Sequence, residues 1–269
     1  MTSAITLLTD YGLDDGFVAS CHGVIMGIAP EARIIDISHL VPSGDIRRGA
    51  AILAQTLRYL PAGVHIAAVD PSGGGARRSV AVETAGNRVF IGPDNGLLSW
   101  ALLASGGARA AYELANEELF LGQVSPTFLG RDVYAPVAAH IYSGRKPADA
   151  GPELPLERLV SLPAPTARLG EGAVEGEVLS VDRFGNVQLS VTADDLAALA
   201  IKVGDTLVIA MGRRQMTLPF RDSYAAVMPG NLVAYTDTAG MVAFAVNDGD
   251  AAQRLGLPPG AHVRVARGS

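Results

Sequence analysis

Short apolar runs alternate with amphipathic segments along the first part of the chain. The apolar run at 5–8 is followed by apolar positions at helical spacing over 17–28, and a second apolar run covers 34–37. Another helical pattern over 46–57 leads to a candidate buried strand at 64–69. This repetition predicts a β-α-β-α-β opening, and it favours a mainly parallel α/β sheet covered by helices.

The α/β pattern continues beyond residue 70. Two runs rich in β-forming residues lie at 79–83 and 88–91, and helical patterns follow near 97–103 and 133–142. The first part of the chain is therefore predicted to form an α/β sandwich domain over residues 1–146.

The pattern changes after residue 146. Residues 147–171 contain five prolines and little periodicity, which predicts a linker. Residues 172–269 then carry short β-branched runs bounded by turns, which predicts a small C-terminal β-barrel domain. The predicted strands of this domain cover 176–181, 187–191, 206–210, 232–236, 241–246 and 263–266.

Composition and charge narrow the function. The 269 residues carry a formal charge of −6 without any basic block, so the chain lacks the electrostatic signature of a nucleic-acid-binding protein. No apolar run approaches the ~20 residues of a membrane span. Cys21, the single cysteine, lies in an apolar helical pattern and has no intrachain disulfide partner, so we expect a small core residue, a reducing compartment and a cytoplasmic location.

Acidic turns follow the first and third predicted strands. In open α/β sheets, ligands bind beyond the carboxyl ends of the strands, so Asp10 and Asp70 are candidate site residues. The Asp10 carboxylate could accept two hydrogen bonds from a ribose diol, although aspartate is also common at turns and helix N-termini. Both interpretations of Asp10 are open at this point.

The sequence gives little support for a nucleotide-binding loop, a catalytic metal or covalent nucleophilic catalysis. The glycine run at 73–75 lacks the spacing of a nucleotide fingerprint, although Arg77 or Arg78 beyond it could pair with Asp70. The five histidines are scattered without metal-ligand spacing, so no catalytic metal is predicted. No nucleophile elbow and no cysteine–histidine pair is evident. These observations favour direct displacement on a bound substrate.

Two further segments combine aromatic and polar residues. Phe128 lies in a polar stretch at 125–132 and could be a core residue. The turn at 182–186 places Phe184 beside Asn186, whose amide could read the edge of a heterocycle. A plain β-turn is the alternative for this segment.

Six motifs in this order resemble the S-adenosylmethionine hydrolases (adenosine-forming), also called SAM hydroxide adenosyltransferases, a family related to fluorinase and chlorinase. The motifs are Thr9-Asp10-Tyr11-Gly12, Val69-Asp70-Pro71 with Arg77, Gly92-Pro93-Asp94-Asn95-Gly96, Thr127-Phe128 before Gly130-Arg131-Asp132, 182–186, and Ala245-Val246-Asn247. The resemblance covers nearly the whole chain. It implies hydrolysis of S-adenosylmethionine to adenosine and L-methionine, with no separate cofactor.

The resemblance also implies roles for individual residues. Asp70 and Arg77 would position the attacking water, and Asp10 would hold the ribose hydroxyls. Asp182 would receive the methionine ammonium, and Asn186 would read the adenine. The remaining substrate-binding candidates in the matching motifs are Tyr11, Asn95, Phe128, Leu129, Phe184 and Asn247. The resemblance further implies a homotrimer with active sites between subunits.

One position departs from the family pattern. The family's water-positioning histidine corresponds to Leu129, which neither donates nor accepts a hydrogen bond. The halogenating relatives carry tyrosine at the positions of Asp70 and Leu129, so the chain matches neither pattern. Two alternatives to hydrolysis therefore stay open. One is halide-dependent formation of a 5′-halo-5′-deoxyadenosine, and the other is a protein that binds S-adenosylmethionine or adenosine with weak catalytic activity.

Overall fold

The computed structural model describes residues 4–71 and 77–268. The chain divides into two compact units, Met1–Ala164 and Pro165–Ser269. The predicted domain limits at residues 146 and 172 stay predictions. The glycine run at 73–75, weighed above as a phosphate loop, lies outside the described residues.

The first unit contains six strands and four α-helices among its described residues. The strands are β1 Ile5–Thr9, β2 Ile34–Ser38, β3 Val64–Ala68, β4 Ser79–Thr84, β5 Val89–Pro93 and β6 Ala108–Glu113. The helices are α1 Phe17–Ile28, α2 Ile46–Thr56, α3 Ser99–Ala104 and α4 Ala135–Tyr142. A π-helical turn, Gly130–Tyr134, leads directly into α4.

The six strands form one mixed sheet in the order β2-β1-β3-β5-β4-β6. The pairs β1–β2, β1–β3 and β3–β5 are parallel, whereas β4 runs antiparallel to β5 and to β6. Helix α1 and helix α4 contribute to one apolar cluster on the sheet, and α2 and α3 contribute to others. The predicted mainly parallel α/β fold class is confirmed.

Strand register brings the first two candidate aspartates together. Thr9 at the end of β1 pairs with Ala68 at the end of β3, so Asp10 and Asp70 leave the same edge of the sheet from neighbouring strands. This placement follows from parallel pairing, because the carboxyl ends of parallel strands lie at one edge. The sheet thereby positions both carboxylates for a common site.

The second unit is built mainly from strands. They are β7 Arg168–Gly170, β8 Ala173–Val181, β9 Val187–Thr192, β10 Thr206–Met211, β11 Arg214–Pro219, β12 Leu232–Thr236, β13 Met241–Val246 and β14 His262–Arg267. Two short helices, α5 Ala193–Ala198 and α6 Ala251–Leu255, lie between strands.

Antiparallel pairing joins these strands in the order β11-β10-β14-β8-β9-β13-β12, and β7 pairs with β8. An isolated bridge between Phe220 and Ala234 links the chain after β11 to β12, so the sheet nearly closes into a barrel. Its interior is filled by buried aliphatic residues and by Phe220 and Phe244. The predicted C-terminal β-barrel is confirmed as part of the fold class.

The sequence patterns missed three strands. Strand β6 is rich in alanine, and β11 begins with two exposed polar residues and ends in proline, so neither shows a strong β-branched pattern. Strand β7 has three exposed residues and pairs only at the edge of β8. Among the described residues, no helix has the length and apolar character needed to cross a bilayer.

Candidate active site

A cavity of about 230 Å³ opens at the sheet edge of the first unit where β1 and β3 end. Carboxylates, hydroxyl groups and apolar side chains share its wall, so the cavity suits a ligand with both polar and apolar parts. The lining residues are Asp10, Tyr11, Ser43, Ala68, Asp70, Pro93, Thr127, Leu129, Gly130 and Tyr134.

Asp10 lies in the turn that follows β1 and is half-buried. Its Oδ2 atom accepts a hydrogen bond from the backbone N–H of Gly44 at 2.9 Å. Burial raises the pKa of Asp10, hydrogen bonding from Gly44 lowers it, and the negative charge of Asp70 raises it. One carboxylate oxygen is thus held by the protein, and the group remains on the cavity wall.

The loop that holds Asp10 also contacts the segment after β3. Gly44 has a φ of 70°, and a Cβ at this position would lie 2.7 Å from the Cβ of Pro71. Only glycine combines this left-handed conformation with so close an approach. Ser43, the residue before Gly44, also lines the cavity.

Asp70 forms an ion pair with Arg77, which lies seven residues further along the chain. The Arg77 Nε atom lies 3.7 Å from Asp70 Oδ1, and the Asp70 side chain is 14% exposed. Arg78, the other candidate partner, instead pairs with Asp94 through its Nε atom at 3.1 Å. The structure therefore distinguishes the two arginines that the sequence left as alternatives.

Asn95 holds the backbone near Asp70. Its Nδ2 atom donates to the carbonyl of Val69 at 2.9 Å, and its Oδ1 atom accepts from the N–H of Leu97 at 3.1 Å. Asn95 is buried, and the described cavity wall does not include it. The structure gives Asn95 a positioning role next to Asp70, and its predicted contact with substrate stays a prediction.

An aromatic group supports the Tyr11 side of the cavity. The Phe128 ring packs edge-on against Tyr11 with ring centroids 5.6 Å apart, and against Phe17 at 5.1 Å. Phe128 itself does not belong to the described wall, whereas its neighbours Thr127 and Leu129 do. This packing matches the core interpretation of Phe128 that the sequence left open.

The π-helical turn begins at Gly130, which lies against Tyr11. A Cβ at Gly130 would overlap the Tyr11 hydroxyl, so the close approach requires glycine. Burial raises the pKa of Tyr11 well above its ordinary value, and the phenol stays protonated at neutral pH. Gly130 thus allows a hydroxyl group and the apolar Leu129 to share one wall.

The strand pattern of the sequence does not point to two of the residues that line the cavity. Ser43 comes from the loop after β2, and Tyr134 from the π-helical turn. The Tyr134 hydroxyl lies 3.0 Å from Ser79 Oγ. Burial raises the pKa of Tyr134 to about 12, and the Asp70 charge acts in the same direction. Sequence reasoning, which inspected residues directly after strands, missed both.

The second unit gathers the other predicted site residues at one end of its barrel. The turn 182–186 joins β8 to β9, and Asn247 directly follows β13. Because Phe244 pairs with Val187, this turn and Asn247 leave the sheet at the same end. The N–H of Ala252 also donates to the Gly185 carbonyl at 2.9 Å, which ties the turn to α6.

Asp182 organises the turn through three hydrogen bonds. Its Oδ1 atom accepts from the N–H groups of Phe184 and Asn186 at 2.8 and 2.9 Å, and its Oδ2 accepts from Asn186 Nδ2 at 2.8 Å. The plain-turn interpretation therefore describes the hydrogen bonding of Asp182. The Phe184 ring is 65% exposed and lies beneath the Arg183 guanidinium at 5.0 Å.

Asn247 is likewise bonded within its own unit. Its Nδ2 atom donates to the Val227 carbonyl at 2.6 Å, and its backbone carbonyl accepts from the N–H of Gly230 at 2.7 Å. These contacts hold the segment after β13 in place. The structure thus groups Asp182, Phe184, Asn186 and Asn247 in the second unit, as it groups Asp10, Tyr11, Asp70 and Leu129 in the first.

Comparisons with known proteins match both units. The model of the SAM hydroxide adenosyltransferase N-terminal domain matches residues 5–151, and that of the C-terminal domain matches residues 176–264. An (R)-S-adenosyl-L-methionine hydrolase from Salinispora arenicola is 50% identical over 99% of both chains. A fluorinase from Actinopolyspora mzabensis is 28% identical over 98% of this chain and 97% of its own.

A solved structure has the same fold. The crystal structure of an uncharacterized conserved protein from Thermotoga maritima superposes with a TM-score of 0.91 at 32% identity, covering 98% of this chain and all of the other. The family resemblance drawn from the six motifs is confirmed by these matches. The chain belongs to the SAM hydroxide adenosyltransferase family.

Proposed function

We propose that this protein hydrolyses S-adenosylmethionine to adenosine and L-methionine. The observation that carries the proposal is the cavity of the first unit, where the Asp70 carboxylate, paired with Arg77, shares a wall with Asp10. The similarity to the Salinispora arenicola hydrolase supports the same reaction. The fluorinase match is more distant, which favours water over halide as the nucleophile.

The reaction needs a positioned nucleophile more than it needs an acid. Water attacks the ribose 5′ carbon as the bond from that carbon to sulfur breaks, and the sulfonium leaves as a neutral thioether. Adenosine, methionine and one proton result. Because no charge develops on the leaving group, orientation of the water and removal of bulk solvent supply most of the rate enhancement.

Asp70 would orient the attacking water and accept its proton. A carboxylate is an acceptor of hydrogen bonds, and proton transfer to a positioned base contributes about 10²–10⁴-fold to a rate. Arg77 stabilises the ionised form, because an opposite charge near a carboxylate favours its charged state. Asp10, with one oxygen held by Gly44, would accept hydrogen bonds from the ribose diol.

Leu129 makes one side of the cavity apolar where the family has histidine. Tyr134 belongs to the same wall, and its hydroxyl is held by Ser79. We propose Tyr134 as a positioning residue that supplies a protonated hydroxyl group near Asp70. The missing histidine is then compensated by a side chain from the next helical turn.

The adenine and methionine ends are assigned to the second unit by the family resemblance. Asp182 would receive the ammonium group, while Phe184, Asn186 and Asn247 would contact the adenine.

We further propose a homotrimer, in which residues of neighbouring subunits complete each site, and a cytoplasmic location. Light scattering on the purified chain measures the assembly, and a monomer that is fully active would contradict the shared site.

A product assay tests the reaction directly. The purified chain is incubated with S-adenosylmethionine, with and without chloride, and products are separated by chromatography. We expect adenosine and methionine in equal amounts at a rate independent of chloride. A chloride-dependent 5′-chloro product would establish the halogenating alternative, and tight binding without product over long incubation would establish the binding protein.

A further inference from the structure

Two histidines and one carboxylate converge at the edge of the first unit's sheet, outside the cavity described above. The Nε2 atom of His22 lies 2.9 Å from Asp36 Oδ1, and the Nε2 atom of His39 lies 3.0 Å from the same oxygen. One ligand atom from each of the three residues lies within 4.8 Å of the other two. This group is called the His22 cluster below.

Three different elements supply the His22 cluster. His22 lies in the middle of α1, Asp36 lies in edge strand β2, and His39 directly follows that strand. The register between β1 and β2 shifts after Asp36, because Leu7 pairs with Asp36 but Leu8 pairs with Ser38. Such an irregularity re-aims side chains, and it accompanies the convergence of Asp36 and His39.

The buried nitrogen of His39 indicates a ligand. The His39 side chain is 3% exposed, and its Nε2 atom has no hydrogen bond despite its short distance to Asp36. On the other side of the ring, Nδ1 lies 2.8 Å from Thr9 Oγ1. When Nδ1–H donates to Thr9, Nε2 presents a lone pair toward a carboxylate that also offers only lone pairs. A cation between them removes this repulsion.

We propose that the His22 cluster binds a divalent transition-metal ion of the Zn²⁺ class. Imidazole nitrogens and a carboxylate oxygen are the ligands this class prefers. The Nε2 atoms of His22 and His39 lie 2.9 and 3.0 Å from the same carboxylate oxygen, separations that two ligands of one ion with bonds of about 2.0–2.2 Å can have. The Thr9 hydroxyl would orient the ring of His39, as hydrogen-bonding partners of metal-bound histidines commonly do.

Cys21 is excluded as a fourth ligand although it precedes His22. The Cys21 side chain is buried in the apolar cluster of the first unit, and its sulfur does not belong to the group of converging ligand atoms. Water would complete the coordination on the exposed side, where the Asp36 side chain is 40% exposed.

The ion would brace the turn that carries Asp10 and Tyr11. Thr9 Oγ1 accepts from the N–H of Tyr11 at 3.2 Å, and the carbonyl of His39 accepts from the N–H of Gly12 at 2.8 Å. Metal binding would therefore tie α1 and β2 to this turn. Metal binding is measured without substrate, so it does not depend on the proposed reaction.

Metal titration of the full chain tests the proposal. The protein is stripped with chelator, titrated with Zn²⁺ by calorimetry, and examined with Co²⁺ by visible absorption. His22→Gln and Asp36→Asn remove one ligand each, and His262→Gln changes an exposed histidine of the second unit as the matched control. We expect one bound equivalent in wild type and control, with at least tenfold weaker binding in both ligand variants.

Thermal unfolding supplies an independent readout. Zn²⁺ is expected to raise the Tm of the wild type and control but not that of the two ligand variants. Both changed side chains are partly exposed, so the variants are expected to fold, and circular dichroism checks this. The proposal is overturned when the wild type binds no saturable equivalent, or when either folded ligand variant binds Zn²⁺ as tightly as the wild type.

Discussion

The cavity of the first unit and the turn 182–186 of the second unit, called the barrel-end turn below, differ in the environment of their carboxylates. In the cavity, burial raises the pKa of Asp10, and the negative charge of Asp70 acts in the same direction. In the turn, Asp182 already accepts three hydrogen bonds from its neighbours. In the cavity, burial disfavours the charged form of Asp10. The turn of Asp182, in contrast, is organised by its own hydrogen bonds before any ligand binds.

From this difference we infer that the cavity supports the chemical step and that the barrel-end turn supports substrate recognition. Asp70 lines a cavity and is paired with Arg77, so this region can orient a nucleophile. A preorganised turn with an exposed aromatic ring binds a ligand at a low entropic cost. We therefore expect changes in the cavity to lower kcat, and changes in the barrel-end turn to raise KM.

The largest effect is expected from Asp70→Asn. The amide cannot accept the proton of the attacking water, so kcat should fall about 10²–10⁴-fold, with a smaller change in KM. Asp14→Asn, at an exposed position of the turn after β1, is the matched control and should leave kcat unchanged. Steady-state assays of adenosine formation measure both. An equal loss in the two variants would remove Asp70 from the chemistry.

His65 tests how burial of polar groups affects the first unit. Burial, aided by the charge of Arg88, lowers the pKa of His65 to about 3, below the 6.5 of the free side chain. The unfolded chain then binds more protons below pH 6.5, so stability present at neutral pH is lost as pH falls. The loss reaches about 3 kcal/mol by pH 4.5.

Urea unfolding at pH 7.5 and pH 4.5 measures this loss. His65→Gln removes the titrating group, and His262→Gln removes an exposed histidine as the control. The free energy of unfolding should fall less with acid in His65→Gln than in the other two proteins. Identical pH dependence in all three would show that His65 protonates freely in the folded state.

Asp182 tests the barrel-end turn. Asp182→Ala removes three acceptor contacts and should raise KM about tenfold or more, while kcat changes little. Asp182→Asn keeps an oxygen for the backbone N–H groups but loses the charge. When Asp182 receives the methionine ammonium, both variants should raise KM alike. Recovery of wild-type KM in Asp182→Asn would limit its role to the turn itself.

The smallest effect is expected at Leu129. Leu129→His adds a polar group to the cavity that Asp70 lines, and we expect a rise in kcat of at most about tenfold. Tyr134→Phe is the companion variant, because it removes only the hydroxyl that we assign to water positioning. Steady-state kinetics should show a lower kcat for Tyr134→Phe and its recovery in the double variant. A Tyr134→Phe enzyme with unchanged kcat and pH profile would exclude that assignment.

The predictable part of the fold is the part with strong local patterns. Alternating apolar runs and helical spacing were sufficient for β1 to β5, because buried strands and amphipathic helices must repeat at fixed periods. Strands β6, β7 and β11 were missed since their pairing depends on neighbours already in the sheet. The same limit applies to the site, where Ser43 lies five residues beyond the end of β2 and Tyr134 lies in a π-helical turn.

The sequence by itself determined the fold class, the family and the acidic turns that carry Asp10 and Asp70, because these depend on short motifs and local periodicity. Only the tertiary structure decided that Arg77 rather than Arg78 pairs with Asp70, that Asn95 bonds to the backbone, and that Phe128 supports Tyr11. It also brought together His22, Asp36 and His39, whose spacing along the chain predicts no site. The physical reason is that strand register and helix packing set distances between residues far apart in sequence.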